Sequence, residues 1–123
     1  MLILGPSGSG KSALALSLMA LGCTLVADDR TIVTAEGDTL IASCPPAIAG
    51  MIEARGVGIL RAEVLPSVPL VLAVDLAQRS TTRLPERRDI RLLDRHLPLI
   101  CPVDGPQWVP AILQWLKSGW SDQ

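Results

Sequence analysis

The chain contains no phenylalanine and no tyrosine, and its only aromatic residues are three tryptophans. With 49% hydrophobic residues among 123, a core is feasible, but it must be aliphatic. Cysteine is scarce: Cys23, Cys44 and Cys101 are odd in number, widely spaced and without CxxC or Cys/His ligand spacing. That excludes a disulfide framework or a zinc site and reads as buried thiols in a reducing compartment. The single histidine, His96, has no partner ligand nearby in sequence and reads as a surface turn residue. Neither charge sign dominates, since the net charge is −1 and no basic run exists outside Arg83 to Arg95. A field for nucleic acid or anionic membrane is therefore absent. No apolar run approaches the roughly 18 residues of a membrane span. The N-terminal apolar run has no basic region before it, which argues against a signal peptide, so the expected setting is cytoplasmic.

Against that background, Gly5-Pro6-Ser7-Gly8-Ser9-Gly10-Lys11-Ser12 fits the phosphate-loop pattern G-x-x-x-x-G-K-[ST] at every defined position. It follows an apolar run, Met1 to Leu4, able to end a buried strand, and it opens Ser12 to Leu21, which reads as a helix. Strand, glycine loop and helix form the context the motif requires. The glycines let the backbone approach a phosphate with successive N–H groups aimed at its oxygens. The helix start adds orphan N–H groups and the positive end of the dipole. Lys11 would reach the β- and γ-phosphates, and Ser12 would offer its hydroxyl to Mg²⁺. A plain Gly/Ser turn is the competing explanation. The lysine and hydroxyl at fixed offsets, in strand and helix context, weigh against it.

Further along, Gly22 occupies the place of a helix C-cap glycine, and Thr24 to Ala27 reads as a short buried strand ending in Asp28-Asp29. Arg30 to Ala35 and Thr39 to Ser43 are β-branched runs around a glycine turn, hence a hairpin, which Pro45-Pro46 stops. Residues 47–60 read as a helical turn followed by a glycine-bearing loop, because Gly50, Gly56 and Gly58 interrupt the helical spacing of Ile48, Met51 and Ile52. Val68 to Asp75 is nearly continuously apolar, the mark of a central strand buried on both faces. Gln78 to Asp89 is polar and reads as exposed. Ile90 to Leu93 and Leu97 to Cys101 suggest two strands around Asp94-Arg95-His96. Residues 107–116 suggest a terminal amphipathic helix with Trp108, Ile112, Trp115 and Leu116 on one face and Pro110 in the first turn. The whole is one α/β domain with a mixed sheet, spanning 1–123.

A phosphate loop needs a carboxylate at a nearby strand end to complete a Mg²⁺ site. Asp75 closes the most hydrophobic strand. Asp28-Asp29 closes the strand directly after the loop helix, which a short right-handed crossover is expected to place next to the first strand. In the pair, one carboxylate could bind metal while its neighbour handles a substrate proton. Helix capping or simple solvation competes with that reading, and spacing alone leaves the choice open.

Three segments in order, GPSGSGKS, LVADD at Leu25 to Asp29, and IEARGVGIL at Ile52 to Leu60, resemble the catalytic domain of HPr kinase/phosphorylase. The resemblance implies a P-loop kinase domain related in fold to phosphoenolpyruvate carboxykinase. It also implies a reaction in which ATP, or pyrophosphate, phosphorylates a serine of the phosphocarrier HPr and inorganic phosphate reverses the transfer. By that resemblance Lys11 is the loop lysine, and Ser12, Asp28 and Glu53 hold Mg²⁺. Asp29 exchanges the serine proton, and Arg83 matches a family arginine, with Arg55 in the signature stretch. The implied partners are HPr and other copies of the chain, the long family members being hexamers.

The sequence departs from the family in three places. Within these 123 residues the family's upstream histidine has no counterpart, both arginines of a segment tied to the reverse reaction are missing from Cys101 to Pro106, and the N-terminal domain and C-terminal helices of long members are not included. The expectation is a domain truncated at its N-terminus relative to the family, or one impaired in the reverse reaction. The forward reaction is therefore expected to survive better than the reverse. The resemblance aside, Glu53 and Arg55 read as a surface ion pair, and the tryptophans as packing rather than a stacking platform. Two other functions fit the loop: a small-molecule kinase, for which only residues 78–89 leave room for a lid, and a nucleotide-binding regulatory module without transfer activity.

Overall fold

The chain is described here by a computed structural model covering residues 1–121. In chain order the elements are β1 (Leu2–Leu4), α1 (Lys11–Ala20), β2 (Ile32–Glu36), β3 (Thr39–Ser43), a 3₁₀ turn (Pro46–Ile48), β4 (Met51–Ala54), β5 (Gly58–Arg61), β6 (Ser67–Pro69), β7 (Ala73–Asp75), β8 (Arg88–Leu92), β9 (Arg95–Ile100) and α2 (Trp108–Ser118). The central sheet has the order β1-β7-β9-β8; β1, β7 and β9 run parallel and β8 antiparallel, so the sheet is mixed, as expected. A second, antiparallel sheet has the order β2-β3-β6, and β4 pairs with β5 alone.

Strand alternation sends side chains to two aliphatic clusters. On one face of the central sheet, Leu2, Ala73, Leu97 and Leu99 pack with Leu40, Ala42 and Leu70 of the second layer. On the other, Val74 packs with Leu14 and Leu18 of α1 and Ile112 of α2. Val74 and Ile112 have no solvent exposure, so the two helices and β7 share one sealed contact. Helix α1 ends as expected at Gly22, whose φ is 105°. The Gly22 N–H donates to the Met19 carbonyl at 3.0 Å and the Cys23 N–H to the Leu18 carbonyl at 3.0 Å, the paired bonds of a Schellman cap.

The hairpin β2–β3, the strands β8 and β9 and the terminal helix lie close to their expected places. Four expectations are corrected. Thr24 to Ala27 is not a strand: Leu25 makes one isolated bridge to Val64, and only Leu25 of the four is buried. Residues 47–60 do begin with a helical turn but continue into the β4–β5 hairpin rather than a loop. There Gly56, at φ 81°, supplies the left-handed position of a turn closed by the Val57 N–H on the Ala54 carbonyl at 2.9 Å. The apolar run 68–75 is two strands, with β6 in the second sheet and β7 in the first. His96 lies within β9, and the turn before it is Leu93-Asp94, at φ 48° and 60°.

Candidate functional site

Between β1 and α1 the glycine loop turns on itself, the Ser9 N–H donating to the Pro6 carbonyl at 3.1 Å. A side chain at Gly5 would have its Cβ 2.5 Å from Ser9 Oγ and 3.2 Å from Leu76 Cβ, so only glycine fits there. Gly8 and Gly10 have open space but φ values of 82° and 96°, which ordinary residues rarely adopt. Helix α1 starts at Lys11 with no side-chain cap and no acidic residue in its first turn. Its leading N–H groups and dipole are thus uncommitted, the physical requirement for an anion site. Lys11 Nζ lies folded over the loop, donating to the carbonyls of Gly5 at 2.7 Å and Pro6 at 3.0 Å. Pro6 and Ser7 are exposed at the loop's outer turn.

Asp28 is drawn to this helix start although no strand carries it there. Ser12 Oγ donates to Asp28 Oδ1 at 2.7 Å, and the main-chain N–H of Glu53 in β4 donates to Oδ2 at 2.9 Å. Asp29 is the pivot of a tight turn, with φ 63° and the Arg30 N–H donating to the Asp28 carbonyl at 2.6 Å. Such a backbone is strained for any residue but glycine, least so for Asp and Asn. The Asp29 carboxylate makes no hydrogen bond or ion pair among the described residues.

The space beside β1, where sequence reasoning expected a neighbouring strand, is instead a cavity of about 350 Å³ reaching from Met1 and Ile3 to Lys11, Asp28 and Asp29. Burial there holds the Met1 ammonium below its ordinary pKa, with Cys23 opposing the shift. A second opening of about 480 Å³ joins Gly5, Lys11 and Asp29 to Thr31, Leu92 and Leu93. Lys11 and Asp29 thus border both spaces. Thr31, just past the Asp29 turn, and the turn residue Leu93 were missed in the sequence; Leu93 reaches the loop only through the tertiary placement of the β8–β9 turn.

The remaining candidates are scattered. Asp75 closes β7 opposite Leu4, the topological place for a metal carboxylate, but its oxygens accept from the Ala77 N–H at 2.9 Å and Gln78 Nε2 at 2.8 Å. That local turn consumes it. The Glu53 side chain projects from the face of β4 opposite buried Ile52 and Ala54, and Arg55 is exposed in the β4–β5 turn. Arg83 is exposed in residues 78–87, which form no helix or strand. Among the described residues no three His, Cys, Asp or Glu side chains come together as a metal-binding group. Ser12 Oγ and the Asp28 carboxylate do converge, and this pair of hard oxygens fits Mg²⁺, which is held through few protein ligands, with water and phosphate oxygens supplying the rest.

Fold and site define a mixed α/β domain in which a glycine loop feeds a helix whose first hydroxyl meets a carboxylate. The same fold is found in the structure of the Hpr(Ser) kinase/phosphatase from Coxiella burnetii, with a TM-score of 0.74 and 26% identity over 94% of this chain and 78% of that one. The family model for the HPr serine kinase C-terminal domain matches residues 1–88, and the chain belongs to that family. Among its relatives, the HPr kinase/phosphorylase of Geobacillus thermodenitrificans is 40% identical over 83% of this chain and 38% of its own length. That of Bacillus licheniformis is 36% identical over 92% of this chain and 41% of its own. The chain thus spans about two fifths of the length of these relatives.

Proposed function

We propose that this domain transfers a phosphoryl group from ATP, or from pyrophosphate, to a serine of an HPr-like phosphocarrier protein in the cytoplasm. In this reading the glycine loop is a phosphate loop and the fold is kin to phosphoenolpyruvate carboxykinase. The observation that carries it is the meeting of Ser12 Oγ and Asp28 Oδ1, 2.7 Å apart, at an uncapped helix start that also presents Lys11. Family membership supports the choice of acceptor.

The N–H groups of the loop and of the α1 start bind the phosphate oxygens. Lys11 exchanges its two loop carbonyls for phosphate and neutralises charge that grows during transfer. Ser12 and Asp28 would hold Mg²⁺, with the Glu53 carboxylate as a further ligand in the family pattern; the ion supplies positive charge at the phosphate oxygens. Asp29, whose carboxylate is uncommitted, accepts the serine proton as the Oγ–P bond forms and the bond to the leaving phosphate breaks. In reverse, an oxygen of inorganic phosphate attacks the phosphoserine phosphorus to form pyrophosphate, the Oγ–P bond breaks, and Asp29 returns the proton to the serine Oγ. Arg83 would have to swing in from its exposed segment to stabilise the transition state. Assembly into a homo-oligomer such as a hexamer belongs to the same reading.

The test is incubation of the protein with MgATP and HPr, read by intact mass. One added phosphate on an HPr serine is expected, and its removal by excess inorganic phosphate would reveal the reverse reaction. Tight ATP binding without transfer would leave a regulatory nucleotide-binding module instead.

A further inference from the structure

The contact between β4 and Asp28 belongs to the main chain. Asp28 lies in an irregular stretch, so its direction is set by what its two oxygens accept: the Ser12 hydroxyl on Oδ1 and the Glu53 amide on Oδ2. Strand β4 pairs with β5 on one edge only, with Glu53 directly opposite Ile59. The Glu53 N–H turns to the other edge, where no strand competes for it. The Glu53 carboxylate makes no hydrogen bond or ion pair among the described residues, and it joins no group of three potential ligands.

We propose that Glu53 serves the site through its backbone, as a positioning residue: its amide fixes the Asp28 carboxylate so that Oδ1 stays aimed at Ser12 and at the cation. The amide does this independently of the Glu53 carboxylate and its place among the metal ligands. The inference rests on the reading of Ser12 and Asp28 as a Mg²⁺ site. Outer partners that orient a metal ligand matter because a freely rotating carboxylate presents the right oxygen only part of the time, and losing one typically costs about 10–100-fold in metal affinity. The arrangement also ties the β4–β5 hairpin to the loop, since one carboxylate grips both.

Two variants separate backbone from side chain. Glu53→Gln keeps the N–H and removes the charge; Glu53→Pro removes the N–H on an edge where proline breaks no ladder bond. Both variants lack the carboxylate, so their difference reports the amide alone: titrating Mg²⁺ into protein with ATP, Glu53→Pro is expected to bind at least about tenfold more weakly than Glu53→Gln. Equal loss in both variants, or no loss in Glu53→Pro, overturns the proposal. A second measurement does not depend on the proline variant folding or on nucleotide binding. Hydrogen exchange at the Glu53 amide of the nucleotide-free protein should be slow in wild type and at least about tenfold faster in Asp28→Ala, with the neighbouring β4 amides unchanged. Equal exchange in the two proteins overturns the latch. If wild type shows no Mg²⁺-dependent ATP binding, the site reading fails, and this exchange result still decides whether the amide holds Asp28.

Discussion

The stretch from Gly5 to Asp28 and the stretch from Gln78 to Arg87 both carry groups suited to phosphate chemistry, but they are built on opposite plans. In the first, Lys11, Ser12 and Asp28 each have short hydrogen bonds that set their direction before any ligand arrives. In the second there is no helix or strand. Arg79 pairs with Asp104 at 2.6 Å with both side chains mostly exposed, and Arg83 stands in solvent. An exposed pair of that kind contributes about 0–1 kcal/mol. Holding a free arginine in one place costs side-chain entropy, of order 2 kcal/mol at most. The candidate groups of the first region are held in place in advance; Arg83 is not, and a ligand or acceptor would have to order it.

The largest expected effect tests whether Asp29, the uncommitted neighbour of a committed carboxylate, does chemistry rather than binding. Asp29→Asn should lower the rate of HPr phosphorylation by about 10³–10⁴-fold while changing the ATP Kd by less than about threefold. Parallel calorimetry and turnover assays check this; equal losses in both would move Asp29 into the anchored region. Next, Arg83→Ala should reduce turnover by about 10²–10³-fold with an unchanged melting temperature, because the side chain supports nothing in the resting fold. A loss below about tenfold would remove residues 78–87 from the reaction. The smallest effect falls on Asp75, which the generic reading of such a loop would choose for metal. Asp75→Ala should cost about 1 kcal/mol in denaturant unfolding through its lost turn bonds and leave Mg²⁺-dependent ATP binding within about twofold. Loss of the Mg²⁺ dependence would instead show that Asp75, not Asp28, completes the site.

The loop and helix were legible in the sequence because their signals are local: fixed offsets, a strand before, a helix after. The β2–β3 hairpin and the terminal helix were legible for the same reason. The pairing of β4 with β5 was hidden because Gly56 and Gly58 look alike whether they break a helix or turn a hairpin. The division of residues 68–75 was hidden too, since a run of Val, Leu and Ala is equally apolar in one sheet or two. Asp28 was expected beside the first strand on a topological ground the fold does not follow; no strand delivers it to the helix start, and its hydrogen bonds to Ser12 and to the Glu53 amide do. No periodicity reports a main-chain donor 25 residues away in sequence.

That divided run also governs how the domain comes apart. With β6 in one sheet, β7 in the other and only residues 70–72 between them, Leu70 and Leu72 both buried, neither sheet can open without pulling on the other. The short buried link couples the opening of one layer to that of the other, so cooperative unfolding across both is the expected behaviour. A destabilising change far from the loop is therefore expected to lower the midpoint at which the loop is lost, and melting followed separately in the two layers checks that coupling.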